Sequence, residues 1–263
     1  MPTRHLMAGA VICLLAGAAS AQDNPLLPSP TWEELKGDII GDITPAAATG
    51  LWHLEAPARA QDAATVPLRI RQDDPASPVT RAVVVVDENP APVAGTFTFG
   101  SAMHPLDFEL RVRVNEYSDV RVIADTAAGT SMDGAYVKAS GGCSAPATKD
   151  AETSLANMGE MRLREFAPRS DGRQEAQIMI RHPNYSGLQR NQLTQLFIPA
   201  HFIDTIKVTQ GEEELFTMEG GISISENPVF RFLYTDNGAG DLIVTATDTE
   251  GNIWRKPLSK SGS

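Results

Sequence analysis

The chain has 263 residues, a formal net charge of −11, 18 prolines, 21 glycines and two cysteines. An acidic chain without a basic cluster repels phosphate backbones, which excludes nucleic acid as a partner; the acid is dispersed, serves solubility, and biases partner choice toward basic surfaces. The many prolines and glycines predict short elements joined by turns, and few stretches carry a helical period, so a mainly β fold is expected.

The chain opens with Arg4 and His5, an apolar run over 6–19, and Ala19-Ser20-Ala21. These are the parts of a secretory signal peptide, and the run is too short to span a bilayer. Residues 1–21 are therefore expected to be cleaved, for a periplasmic destination. Cleavage removes Arg4 and no acid, leaving a charge of about −12. It also removes Cys13, so Cys143 is the remaining thiol. No later apolar stretch is long enough for a membrane span. In an oxidising compartment thiols usually pair, so an odd one is either reactive or intermolecular, as in a disulfide homodimer through Cys143.

After a proline-rich leader over 23–30, Thr31-Trp32-Glu33-Glu34 offers a capping box. It predicts a short helix over 32–36 that stops at Gly37, with Trp32 as its packing anchor. Strands follow over 50–55, 65–71, 82–86, 93–99, 108–114, 119–124 and 135–138. Val66, Leu68 and Ile70 alternate with polar neighbours, and the run Ala82-Val83-Val84-Val85-Val86 suits a central strand covered on both faces. Seven short strands at this spacing read as an immunoglobulin-like sandwich.

The last of them leads into Ala139-Ser140-Gly141-Gly142-Cys143-Ser144-Ala145-Pro146. Two glycines leave the backbone little restricted, and the small residues give the sulfur nothing to pack against. The pattern predicts an exposed thiol on a flexible arm formed by Gly141, Gly142 and Ser144. With no cation in sight, its pKa is expected to stay near about 8.5.

Residues 146–160 read as a linker, within which 152–161 also suits a short helix. Beyond it, strands are expected over 161–165, 175–181, 193–198, 203–209, 214–218, 230–234, 242–248 and 253–256, with hairpin turns at Gln210-Gly211 and Asp248-Thr249-Glu250-Gly251-Asn252. The organisation is thus a first sandwich over 22–145, the linker, and a second sandwich over 161–263. Asp236 to Asp241 resembles a calcium loop in composition alone, lacks the late glutamate, and reads as a turn.

No catalytic constellation is visible. A cysteine nucleophile needs a base beside it, and no local motif ties His53, His104, His182 or His201 to Cys143. His104 and His182 each precede a proline and His201 follows Pro199-Ala200, which suggests structural positions. The four are too scattered for the closely spaced ligand pairs of a zinc motif, so neither metal nor cofactor is expected. Gly141-Gly142 lacks the lysine and helix start of a phosphate loop. A lone thiol on such a scaffold suits a covalent carrier whose partners do the chemistry, not an enzyme.

The stretch Val83-Val84-Val85-Val86-Asp87-Glu88-Asn89-Pro90-Ala91-Pro92, with Phe97-Thr98-Phe99 and the ending Val137-Lys138-Ala139-Ser140-Gly141-Gly142-Cys143, resembles the Y subunit of the bacterial sulfur-oxidation (Sox) carrier. Arg181-His182-Pro183, Gly187 and Gly221-Ile222-Ser223-Ile224-Ser225-Glu226-Asn227-Pro228 resemble the Z subunit. In this order they resemble the fused SoxYZ-like carriers associated with periplasmic quinoprotein (PQQ) alcohol dehydrogenase systems. The resemblance implies that Cys143 carries a sulfur-containing intermediate for periplasmic redox enzymes, of Sox type or a quinoprotein dehydrogenase and its cytochrome. The alternative is a non-covalent accessory protein of such a dehydrogenase. The family's arm ends the chain in Gly-Gly-Cys-Gly-Gly; here Ser144-Ala145-Pro146 follows the cysteine and the arm is tied at both sides.

Overall fold

The structure, a computed structural model, describes residues 25–146 and 155–260. The expected signal peptide, and residues 147–154 of the expected linker, lie outside them. Helix α1 (Pro30–Ile40) starts where the Ser29 hydroxyl accepts from the Trp32 amide at 3.0 Å. It ends at Gly41, whose positive φ of 61° turns the chain away. It is longer at both ends than the 32–36 expected. Ser29 followed by proline at the first helical position is a stronger start than the Thr31 capping box, and Gly37 inside the helix costs only about 1 kcal/mol. Trp32 anchors the helix as expected, against Val83, Val85 and Ile123.

Among the described residues fifteen strands follow: β1 (Ala46–Ala47), β2 (Trp52–Glu55), β3 (Val66–Gln72), β4 (Arg81–Val86), β5 (Val93–Phe99), β6 (Asp107–Val112), β7 (Ser118–Thr126), β8 (Gly129–Val137), β9 (Met161–Glu165), β10 (Gln174–Ile180), β11 (Ile203–Gln210), β12 (Glu213–Gly220), β13 (Val229–Tyr234), β14 (Asp241–Asp248) and β15 (Ile253–Ser259). Alternation decides most of them: Val66, Leu68 and Ile70 on β3, and Leu242, Val244 and Ala246 on β14, all face the core. In β4, Val83 and Val85 meet α1 while Ala82, Val84 and Val86 face the main core, which is why the run carries no polar residue. The two-residue β1, parallel to β8, is too short for any periodic signal.

The strand expected over 193–198 is absent. Asn191 instead accepts from the amides of Leu193 (2.9 Å) and Thr194 (3.0 Å), and Gln195 takes a positive φ of 59°, so this stretch curls into turns. Leu193 is left 94% exposed.

The class is mainly β, with two sheets and, among the elements described in full, one short α-helix. A nine-stranded sheet runs β1-β8-β7-β4-β5-β12-β11-β14-β15, and a six-stranded sheet runs β2-β3-β6-β13-β10-β9. Each sheet crosses from the first half of the chain to the second. Phe97 of β5 pairs with Met218 of β12, and Phe108 of β6 pairs with Phe232 of β13. Rings from both sheets and both halves meet in one core: Phe108 lies 5.3 Å from Phe97, 5.1 Å from Phe99 and 5.1 Å from Phe216. The two halves therefore share their sheets edge to edge.

Candidate functional site

The segment carrying Cys143 leaves β8 and is folded back onto the sandwich. The Gly141 amide donates to the Asn115 carbonyl at 2.7 Å, and the Gly142 amide donates to the Val114 carbonyl at 3.0 Å. The approach at Gly142 is so close that a Cβ there would lie 2.1 Å from the Ala63 carbonyl oxygen and 2.7 Å from that of Val114. Gly141, at φ +80°, has open space around it. Ser144 is exposed and closes a local turn, its hydroxyl donating to the Gly141 carbonyl at 3.3 Å.

This placement corrects the expectation of an exposed thiol. Cys143 is free but buried, at 3% exposure. The missing side chains of Gly141 and Gly142, read as a failure to shield the sulfur, are what let the backbone press against the body of the protein. The protein then supplies the shielding.

Three carbonyls of the arm are held by side chains from elsewhere. Arg113 donates to Gly142 at 3.0 Å, Ser186 donates to Cys143, and Gln189 donates to Ala145 at 3.0 Å. Arg113 is itself buried and also donates to the Asn184 carbonyl at 3.3 Å, so it links the arm to the 181–202 connection of the second half. Burial pushes the Cys143 thiol above its ordinary pKa, and the nearby Arg113 guanidinium works against that rise. The expectation of an unshifted thiol with no cation near it is therefore corrected as well. Arg113 was not legible in the sequence: it sits just past the end of β6, where alternation no longer says which way a side chain faces.

His53 lies half exposed on β2, 2.8 Å from Asp73 and 3.3 Å from Glu55. Partial burial opposes its protonation, but these two carboxylates prevail and raise its pKa. His104 is lowered by burial, with Arg173 adding to the effect. His182 and His201, nineteen positions apart in sequence, come together with Asp248 at the end of β14. All three are buried, and the two imidazole rings are 4.8 Å apart. Burial, with His201 beside it, pushes His182 down to about 4. Burial opposes the charge on Asp248, yet donation from Asn252 and His201 holds it down to about 2. Sequence spacing had separated these residues; the connection between β10 and β11 brings its own two ends back to one point.

Two family models match the chain. Sulfur oxidation protein SoxY covers residues 36–143 and Sulphur oxidation protein SoxZ covers residues 161–258. The first match ends on Cys143 itself. Among solved structures, the sulfur carrier protein SoxY from Chlorobium limicola f thiosulfatophilum aligns with 41% of this chain and 94% of its own, at 18% identity and a TM-score of 0.34. A beta-glycosidase from Bacteroides vulgatus aligns with 80% of this chain and 24% of its own, at 10% identity and a TM-score of 0.25. A comparison with the curated proteins finds no match. The assignment rests on the two domain matches, which lie in the order expected and on either side of the expected linker. The chain is a SoxY domain followed by a SoxZ domain, a fused SoxYZ-like protein of the sulfur-oxidation carrier family.

Proposed function

We propose that this protein is a periplasmic carrier that holds a sulfur-containing intermediate covalently on Cys143 and presents it to partner enzymes. The observation that carries the reading is the position of a free thiol at the last residue of the SoxY match, on a segment held to the body by hydrogen bonds to its backbone. The chain supplies an attachment atom and reach; the partners supply the chemistry. Neutral hydrogen bonds contribute about 0.5–1.5 kcal/mol each and those from a charged group about 1.5–3 kcal/mol. Releasing the arm from Arg113, Ser186, Gln189, Asn115 and Val114 then costs on the order of 5 kcal/mol, an open population of about one in several thousand. A docking partner has to offset that amount.

Replacing Cys143 by serine is expected to abolish sulfur-dependent activity while leaving the protein folded. Full activity in that variant would remove the proposal. Export is tested separately by N-terminal sequencing of the mature protein, expected to begin at Gln22.

The burial of Cys143 favours one second reading, a non-covalent accessory protein of a periplasmic quinoprotein dehydrogenase. Under it, pull-down from periplasm recovers the dehydrogenase or its cytochrome equally with Cys143 and with serine. Recovery that requires the thiol favours the carrier. A disulfide homodimer through Cys143 requires both arms to open first, since two buried sulfurs cannot meet.

A further inference from the structure

We propose that His182, His201 and Asp248 form a binding site for a single zinc-like divalent ion, which clamps the two ends of the 181–202 connection. One ligand atom from each residue lies within 4.8 Å of the others. His201 Nε2 is 2.6 Å and His182 Nε2 is 3.4 Å from the same Asp248 oxygen, Oδ2. At zinc–nitrogen and zinc–oxygen bonds of about 2.0–2.1 Å, tetrahedral ligands stand about 3.3 Å apart. His182 and Asp248 already have that separation; His201 has to withdraw from Asp248 by less than about 1 Å, and the two imidazole nitrogens, within 4.8 Å of each other, have to close by up to about 1.5 Å.

The surroundings of the three residues are those of an oriented ligand set. His182 Nδ1 accepts from the Asn184 backbone amide at 3.0 Å and lies 2.9 Å from the Asn184 side-chain oxygen, and that side chain is fixed in turn by the Ile203 amide (3.1 Å) and the Gly221 carbonyl (3.3 Å). His182 Nε2 is thereby aimed at Asp248. Asp248 Oδ1 accepts from the amides of Glu250 (3.0 Å) and Asn252 (2.9 Å), and Oδ2, which faces the imidazoles, also accepts from the Asn252 side-chain amide at 2.9 Å. Outer partners of this kind fix the rings and carboxylates of metal sites. Two imidazoles and one carboxylate select zinc or a similar transition ion over calcium or magnesium, which prefer oxygen alone. Three protein ligands leave one position for water.

The location gives the ion a role. His182 follows β10 by two residues and His201 precedes β11 by two. Between them lie Asn184, Ser186 and Gln189, which hold Arg113 and the Cys143 arm. An ion at this site stiffens the frame on which the arm is latched.

The test is titration of the Cys143→Ser protein, in which the thiol cannot serve as a ligand, with Co²⁺ and then Zn²⁺. The expected result is one equivalent of cobalt with the visible absorption of a tetrahedral site, displaced by zinc, and a zinc-dependent rise in melting temperature. Asn184→Ala is expected to weaken binding by about 10–100-fold and His201→Gln by more, while His53→Gln, in the exposed His53–Asp73–Glu55 cluster, leaves it unchanged. X-ray absorption at the zinc edge of the zinc-loaded Cys143→Ser protein is expected to show two imidazole ligands, whether or not the variants fold. Absence of cobalt absorption and of any thermal shift would overturn the site. So would a zinc edge without imidazole, or binding lost in His53→Gln and kept in His201→Gln; those results leave the three residues as a hydrogen-bonded triad.

Discussion

At the scale of single residues, Gly142 and Arg113 decide whether the sulfur is reachable. A side chain at Gly142 has no room beside the Ala63 and Val114 carbonyls, so Gly142→Ala is expected to lift the arm and accelerate alkylation of Cys143 by iodoacetamide, with little loss in the global melt. Gly141→Ala meets open space and pays only for its positive φ, about 1 kcal/mol, so its effect on alkylation is expected to be smaller than that of Gly142→Ala. Equal rates in both variants would contradict the packing account. The pH dependence follows from the buried thiol. Burial raises its folded-state pKa, with Arg113 opposing, so the protonated form is favoured in the native protein more than in the unfolded chain. Its contribution to stability is present below the unfolded pKa and lost as pH rises through the folded one. Native alkylation is therefore expected to keep climbing with pH beyond about 8.5, where an unfolded-chain thiol levels off; Cys143→Ser is expected to lose this part of the alkaline decline in stability.

At the scale of elements, the arm and the 181–202 connection act as a latch and its keeper. Ser186→Ala and Gln189→Ala each remove one hydrogen bond from the arm at a cost of about 1 kcal/mol, and each is expected to raise the alkylation rate about fivefold. Rates unchanged in the double variant would mean that these bonds do not hold the arm. Elements with a regular period were legible in the sequence: β5 and β9 fall on the residues expected, and β4 is covered on both faces as its valines demand. What was not legible depended on contacts across the chain. The residues 193–198 alternate plausibly but have no sheet to join, and Asn191 gives their amides a local partner. The arm looked mobile because glycine freedom is visible in sequence, whereas the groove that receives it is built from residues 63, 113–115 and 184–189, which no local pattern associates with it.

At the scale of the whole molecule, the two domains are fastened through both sheets and through one aromatic core. Phe108 of the SoxY domain touches Phe216 of the SoxZ domain at 5.1 Å and Phe230 at 5.9 Å. Phe108→Ala is expected to cost about 3–5 kcal/mol and to lower one shared unfolding transition; two resolved transitions in calorimetry, only one of them shifted, would show that the domains unfold independently. Two sandwiches were expected from strand count, but the pairing of β5 with β12 and of β6 with β13 has no signature in either strand, since edge-to-edge partners are chosen by matching across the chain. The same long-range assembly hid the grouping of His182, His201 and Asp248, which lie at the two ends of one connection and at the end of β14. The shared core gives the proposed carrier arm one common base.

The most direct measurement is mass spectrometry of the protein purified from its native periplasm, reading the tryptic peptide 139–149 with and without reductant. The carrier account predicts sulfur-containing adducts on Cys143 that reductant removes. An unmodified thiol on every copy, in cells actively oxidising sulfur compounds, would contradict it.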